Sequence, residues 1–163
     1  MRVRPELEHP AQAIASAFLR AIADGDAAAV FERLSRETRG LLGGLHAART
    51  GAALQDAGDR VQAVVEPLVV SALATLGGPE RVGRFGVSGA RVVDRQTAYV
   101  LLIPDIEKEG LLTEADWRPA HLLALVHESG GPLGGTREWL VDLARTAELS
   151  AEAGLSDPLG AIT

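Results

Sequence analysis

Apolar residues change their period half-way along the chain. From Ala11 to Ala23, Ile14, Phe18 and Ile22 recur every four residues, with Ala15 and Leu19 beside them and Gln12, Ser16, Arg20 and Asp24 opposite. That is the one-sided stripe of an amphipathic helix, and Pro10 suits its first turn. Asp24-Gly25-Asp26 ends it, and Asp26 is placed to cap a second helix from about Ala27 to Leu42. Val30, Phe31, Leu34, Thr38 and Leu41 form the expected inner stripe. Glu32 with Arg36 and Arg33 with Glu37 are four-apart ion pairs on the wet side, and Gly43-Gly44 stops the helix. A third helix starts at a cap on Asp59, with Gln62 reaching back. Val61, Val64, Val65, Leu68, Ala72 and Leu76 give its stripe, Pro67 kinks or divides it, and Gly77-Gly78-Pro79 closes it. Val69, Val70 and Leu73 make it apolar on most sides beyond Glu66, which suggests burial or an oligomer contact.

Beyond residue 85 the pattern is that of strands. Residues 86–94, 98–103, 120–127 and 137–144 read as strands, with a glycine-rich hairpin loop over 129–135 and a charged excursion over 105–119. The pattern predicts an α+β fold with three N-terminal helices packed on a curved antiparallel sheet of about four to five strands. Residues 1–9 are a lead-in, 10–145 one domain, and 146–163 a partly ordered C-terminal tail. Strands apolar on both faces need cover on both. Helices cover one, and a homodimer through the outer sheet face is the expected cover of the other.

Composition narrows the function. The net charge is −6, Lys108 is the single lysine, and the arginines are scattered, so no nucleic-acid partner is expected. The absence of cysteine removes disulfides, thiolate catalysis and cysteine zinc sites. No apolar stretch reaches the roughly 18 residues of a membrane span, and no signal core precedes residue 9, which points to the cytoplasm and no membrane partner. Neither a phosphate-cradling GxxxxGK[ST] nor a Gly-x-Ser-x-Gly elbow occurs, so no cofactor is expected. His121 and His127 lie about 20 Å apart along an extended strand, too far to share an ion, so no metal is expected.

The helix-ending step Ala17-Phe18-Leu19-Arg20-Ala21-Ile22-Ala23-Asp24-Gly25-Asp26 carries a family resemblance. So do Phe31-Glu32-Arg33-Leu34-Ser35 and the hairpin 120–128 with Glu138-Trp139-Leu140-Val141-Asp142-Leu143. Over residues 10–145 the chain resembles the nuclear transport factor 2-like superfamily, which includes SnoaL-type polyketide cyclases and ketosteroid isomerase. The resemblance implies a cone: a curved sheet wrapped over helices, with an apolar pocket in its mouth where family enzymes place acid/base side chains. The chain departs from the cyclase pattern after its second helix, where Ala- and Val-rich helix replaces a stretch containing proline and glycine.

On that scaffold the candidate catalytic groups are Asp142, Tyr99 and His121. An apolar wall would raise the Asp142 carboxyl into the range of a general base, Tyr99 would polarise a carbonyl, and His121 would shuttle protons. A rough hairpin pairing puts Tyr99, Leu123 and Asp142 on a common face, and one residue of slip turns Asp142 outward. Trp139, Glu66, Leu123 and Phe18 are the candidate ligand contacts, with Trp117 a further flat side chain and the 105–116 excursion a possible lid. Two functions fit. One is a cofactor-free isomerase, cyclase or dehydratase acting on an apolar carbonyl compound. The other is a non-catalytic ligand-binding or assembly protein on the same scaffold.

Overall fold

The computed structural model describes residues 9–51, 61–103, 121–129 and 137–159. Helix α1 (Pro10–Asp24) follows its stripe: Ala11, Ala15, Phe18, Leu19, Ala21 and Ile22 are buried, and Gly25 closes it in the left-handed conformation at φ 67°. Its first turn is capped by His9, whose Nδ1 accepts the Ala11 N–H at 3.1 Å.

The single second helix is two. Helix α2 (Ala27–Glu32) is capped by Asp26, and α3 (Arg36–Thr50) is capped by Ser35. Between them Leu34 forms a parallel bridge with Val141. The Ser35 N–H donates to the Val141 carbonyl at 2.8 Å, and the Val141 N–H donates to the Arg33 carbonyl at 2.7 Å. These backbone bonds to a distant strand replace the helical ones at 33–35, and they remove the spacing on which the 32–36 and 33–37 ion pairs rested. The break also shifts the phase of α3. Leu42, not Leu41, turns inward, and Leu41 is 46% exposed. Gly43-Gly44 does not stop the helix, which ends at Gly51 (φ 71°).

Helix α4 (Val61–Leu76) keeps Pro67 inside one element and buries Val64, Val65, Leu68, Ala72 and Leu76. Val69 and Leu73 pack against the core, while Val70 is 58% exposed. The cap expected at Asp59 lies outside the described residues. A short α5 (Pro79–Val82) comes next.

Among the described residues the sheet is antiparallel, five-stranded and curled. The strand expected over 86–94 is two short ones, β1 (Gly86–Val87) and β2 (Arg91–Val92), both paired with β3 (Thr97–Ile103). Pairing runs Val87 to Leu102 but Arg91 to Tyr99, so one extra residue separates the two strands on their side, as in a bulge. Next come β4 (His121–Ser129) and β5 (Arg137–Val141). Register sorts the faces. Val100 opposes Leu123 and Ala98 opposes Leu125, and Leu125 opposes Val141. These residues form one core with Phe18, Ile22, Val65 and Leu68 from the helices.

The last strand stops at Val141 rather than residue 144. Asp142 is the N-cap of α6 (Leu143–Ala153). This helix crosses the boundary drawn at residue 145 and packs on β4, where the Thr146 hydroxyl accepts the Ala124 N–H at 3.0 Å. The chain after Arg145 is therefore a docked helix, with Leu159 buried beyond it, in place of the expected partly ordered tail. Helix α6 also supplies cover for the outer sheet face over β4, where Leu122 and Ala124 are buried, so that stretch needs no second subunit. Among the described residues no helix is long and apolar enough to cross a membrane.

Candidate functional site

The chemistry-bearing residues fall in three places. The first is the junction of α3 and α6. Asp142 is 3% exposed, and its Oδ1 accepts the Ser35 hydroxyl at 2.5 Å while Oδ2 accepts the Arg145 N–H at 2.8 Å. The Ser35 and Thr38 hydroxyls lie 2.8 Å apart. Ser35 has one hydroxyl proton and the carboxylate takes it, so Thr38 is the donor between them. Thr38 Oγ1 accepts the Leu143 N–H at 2.9 Å, and the Thr146 hydroxyl donates to the Asp142 carbonyl at 2.6 Å. Each member of this network has a partner. Its role is to satisfy two helix N-termini where they would otherwise be buried bare.

The second place is the outer sheet face at Tyr99. Tyr99 opposes Ala124, and Val141 opposes Leu125, so Tyr99 and Asp142 flank Ala124 on one face. Leu123 opposes Val100 and lies on the other face, in the core. The common face expected for Tyr99, Leu123 and Asp142 therefore holds for two of the three. Tyr99 itself is half-buried.

The third is the start of β4. His121 opposes Leu102, which puts it on the core face, away from Tyr99 and Asp142. It is 9% exposed, lies edge-on to Phe85 at 5.7 Å, and its Nδ1 has no hydrogen-bond partner among the described residues. Burial pulls the imidazole below its ordinary range, a backbone hydrogen bond with Ser156 works against that, and Arg81 adds to it. The three candidate catalytic groups are thus distributed over both faces of the sheet. Among the candidate ligand contacts, Phe18 and Leu123 are closed into the core and Glu66 is exposed on α4.

Trp139 is different. It opposes His127 across the β4–β5 pairing, and their rings stack with centroids 4.8 Å apart and planes at 19°. His9, at the entry of α1, meets the same indole edge-on at 4.8 Å. Beside this column lies a cleft of about 520 Å³, bounded by Pro10, Ala13 and Ile14 of α1, by Glu32 and Arg33 where α2 ends, and by β5 from Arg137 to Leu140. Its size is that of a small-molecule site, about 300–1,000 Å³. The wall combines Pro10, Ala13, Ile14, Leu140 and the Trp139 indole with the charged side chains of Glu32, Arg33, Arg137 and Glu138. A smaller cleft of about 190 Å³ on the other side of His127 is bordered by Glu37, Gln96, Glu128 and Asp142. Among the described residues, no group of three or more His, Asp or Glu is placed to hold a metal ion.

The comparisons with family models, with curated proteins and with solved structures find no match to this chain.

Trp139 was accessible to sequence reasoning as the large residue of a closing strand. Arg33, Ile14 and His9 were not. They come from three separate segments, and only the docking of α1 and α2 against β5 brings them together.

Proposed function

We propose that this chain is a non-catalytic pocket protein, built on a nuclear transport factor 2-like cone and working in the cytoplasm, that holds an apolar small molecule in the cleft beside Trp139. The observation that carries this reading is the cleft itself: about 520 Å³, walled by Ile14, Ala13 and Trp139 at the meeting of α1 and β5. The order of helices followed by an antiparallel meander supports the scaffold. Fold-level likeness says nothing of the ligand, so the function rests on the cleft.

A cofactor-free acid/base enzyme needs its ionisable groups around one reacting atom. Asp142 is held by Ser35 and by the Arg145 N–H, and His121 lies on the opposite sheet face. That distribution favours binding over catalysis. A homodimer through the part of the outer face that α6 leaves open, around Leu101 and Ile103, belongs to the same reading and is checked by light scattering.

The test of the pocket is titration with a neutral aromatic probe, 2-naphthylacetamide, by calorimetry. Saturable binding by the wild-type chain and its loss in Trp139→Ala are expected. Absence of binding in the wild type, or undiminished binding in the variant, overturns the assignment of the cleft.

A further inference from the structure

We propose that the cleft selects a ligand carrying a single carboxylate or similar monoanion, which Arg33 takes while the apolar body lies against Ile14 and Trp139. This rests on the reading of the cleft as a ligand site and goes beyond it, because it names the ligand's charge and the residue that recognises it.

The reason is an unbalanced cation in the wall. Arg33 comes directly after the last turn of α2, and its side chain is half-buried. A guanidinium presents five N–H donors and stays charged in proteins. Here Nη1 donates to the Ala29 carbonyl at 3.3 Å, and Nε is buried with no acceptor among the described residues. No carboxylate pairs with Arg33 among those residues. Nε is closed off, so an acceptor arriving from the cleft would meet the terminal Nη1 and Nη2 donors. Only one of these has a protein acceptor among the described residues, and that bond is long.

The acidic residues of the same wall do not supply it. Glu32 and Glu138 lie in the field of Arg39, together with Glu128. Arg39 is fixed there: its Nε donates to the Phe31 carbonyl at 3.1 Å, its Nη2 donates to the Glu32 carbonyl at 2.9 Å, and its guanidinium lies 5.1 Å from the centre of the Phe31 ring. The wall carboxylates are thus turned towards Arg39, and neither Glu32 nor Glu138 forms an ion pair with Arg33 among the described residues. Arg137, at the exposed rim, adds positive charge. A monoanion with an apolar body complements both parts of the site, whereas an amine would meet the uncompensated arginine.

Three probes of one shape and different charge test this: 2-naphthylacetate, 2-naphthylacetamide and 2-(2-naphthyl)ethylamine. The acid is expected to bind the wild type about tenfold to a hundredfold more tightly than the amide, as a charge-assisted hydrogen bond allows. Arg33→Gln should bring the acid down to about the amide's affinity in the same variant, and a cooperative thermal melt shows that the variant is folded. Arg33→Lys should keep part of the preference, because charge remains and the planar fork is lost. In the wild type, added salt should narrow the gap between acid and amide.

Equal affinity for acid and amide, or tighter binding of the amine, overturns the proposal while the pocket stands. A preference that survives Arg33→Gln, or that disappears in Arg137→Gln instead, overturns the assignment to Arg33. If none of the three probes binds, the pocket reading falls and this inference with it.

Discussion

The Ser35 hydroxyl and the Asp142 carboxylate, 107 residues apart in the chain, meet at 2.5 Å, and each is at the same time the N-cap of its own helix. One hydrogen bond thus ties the start of α3 to the start of α6. The two neighbouring backbone links, Ser35 N–H to the Val141 carbonyl and Asp142 N–H to the Ala124 carbonyl, lock the same junction onto β4 and β5.

Removing the carboxylate should be strongly destabilising. Asp142→Ala loses a cap and a charge-assisted bond and leaves Ser35 without its acceptor, for an expected loss of about 2–4 kcal/mol. Asp142→Asn, which still caps, should cost less. The double variant Ser35→Ala, Asp142→Ala should fall short of the sum of its singles, because both act on one bond. Urea unfolding curves of the wild type, Asp142→Asn, the two alanine singles and the double variant check this, and strict additivity would show that the contact contributes no coupling.

Gly44 offers the opposite sign. It lies inside α3, and a Cβ built there meets nothing within 4 Å. Gly44→Ala is expected to stabilise the chain by about 0.5–1 kcal/mol, since alanine loses less backbone freedom on entering a helix. Gly40 meets the same conditions, and the pair should add. A fall in melting temperature for both would mean that α3 is not helical through these positions.

His121 should make stability sensitive to mild acid. Its folded-state pKa lies below the ordinary value because burial disfavours the imidazolium. Above an unfolded value of about 6.5 both states are neutral and stability from this group is full. As pH drops through that value the unfolded chain takes up the proton while the folded one resists, so stability is lost until the folded pKa is reached. His121→Gln should flatten the decline of the melting temperature between about pH 8 and about pH 5. An identical decline in the variant would assign the acid sensitivity to other groups.

His9 has two duties that substitution can separate. Its Nδ1 caps α1, and its ring lies edge-on to Trp139. His9→Ala should cost about 1 kcal/mol, and His9→Ser should recover most of it by capping. Both variants lose the ring, so both should weaken binding of 2-naphthylacetamide beside Trp139. Full affinity in either would exclude the His9 ring from the site. Thermal melts and calorimetry on the same samples decide between the two duties.

Helix α1 was legible from the sequence because every local signal agrees: a clean stripe, Pro10 at the start and Gly25 at the end. The apolar runs of β3 and β4 were legible for the same reason. The break at residues 33–35 was not, since the stripe from Val30 through Leu34 to Thr38 looks continuous. What interrupts it is the backbone of Val141, more than a hundred residues away. The facing of Asp142 was equally out of reach. A strand presents opposite faces at alternate residues, and the point at which β5 yields to α6 is set by the partners waiting at Ser35 and Thr38.

The chain's own pattern, then, determined α1, the stripe of α4 and the apolar strands β3 and β4, because hydrophobic period acts locally along each element, whereas the split of α2 from α3 and the helix α6 lay beyond it. Tertiary structure alone decided which faces meet, that Asp142 caps a helix in place of extending β5, and that Arg33 and Trp139 line one cleft. Those outcomes depend on hydrogen bonds and packing between segments distant in sequence, and no single segment carries them.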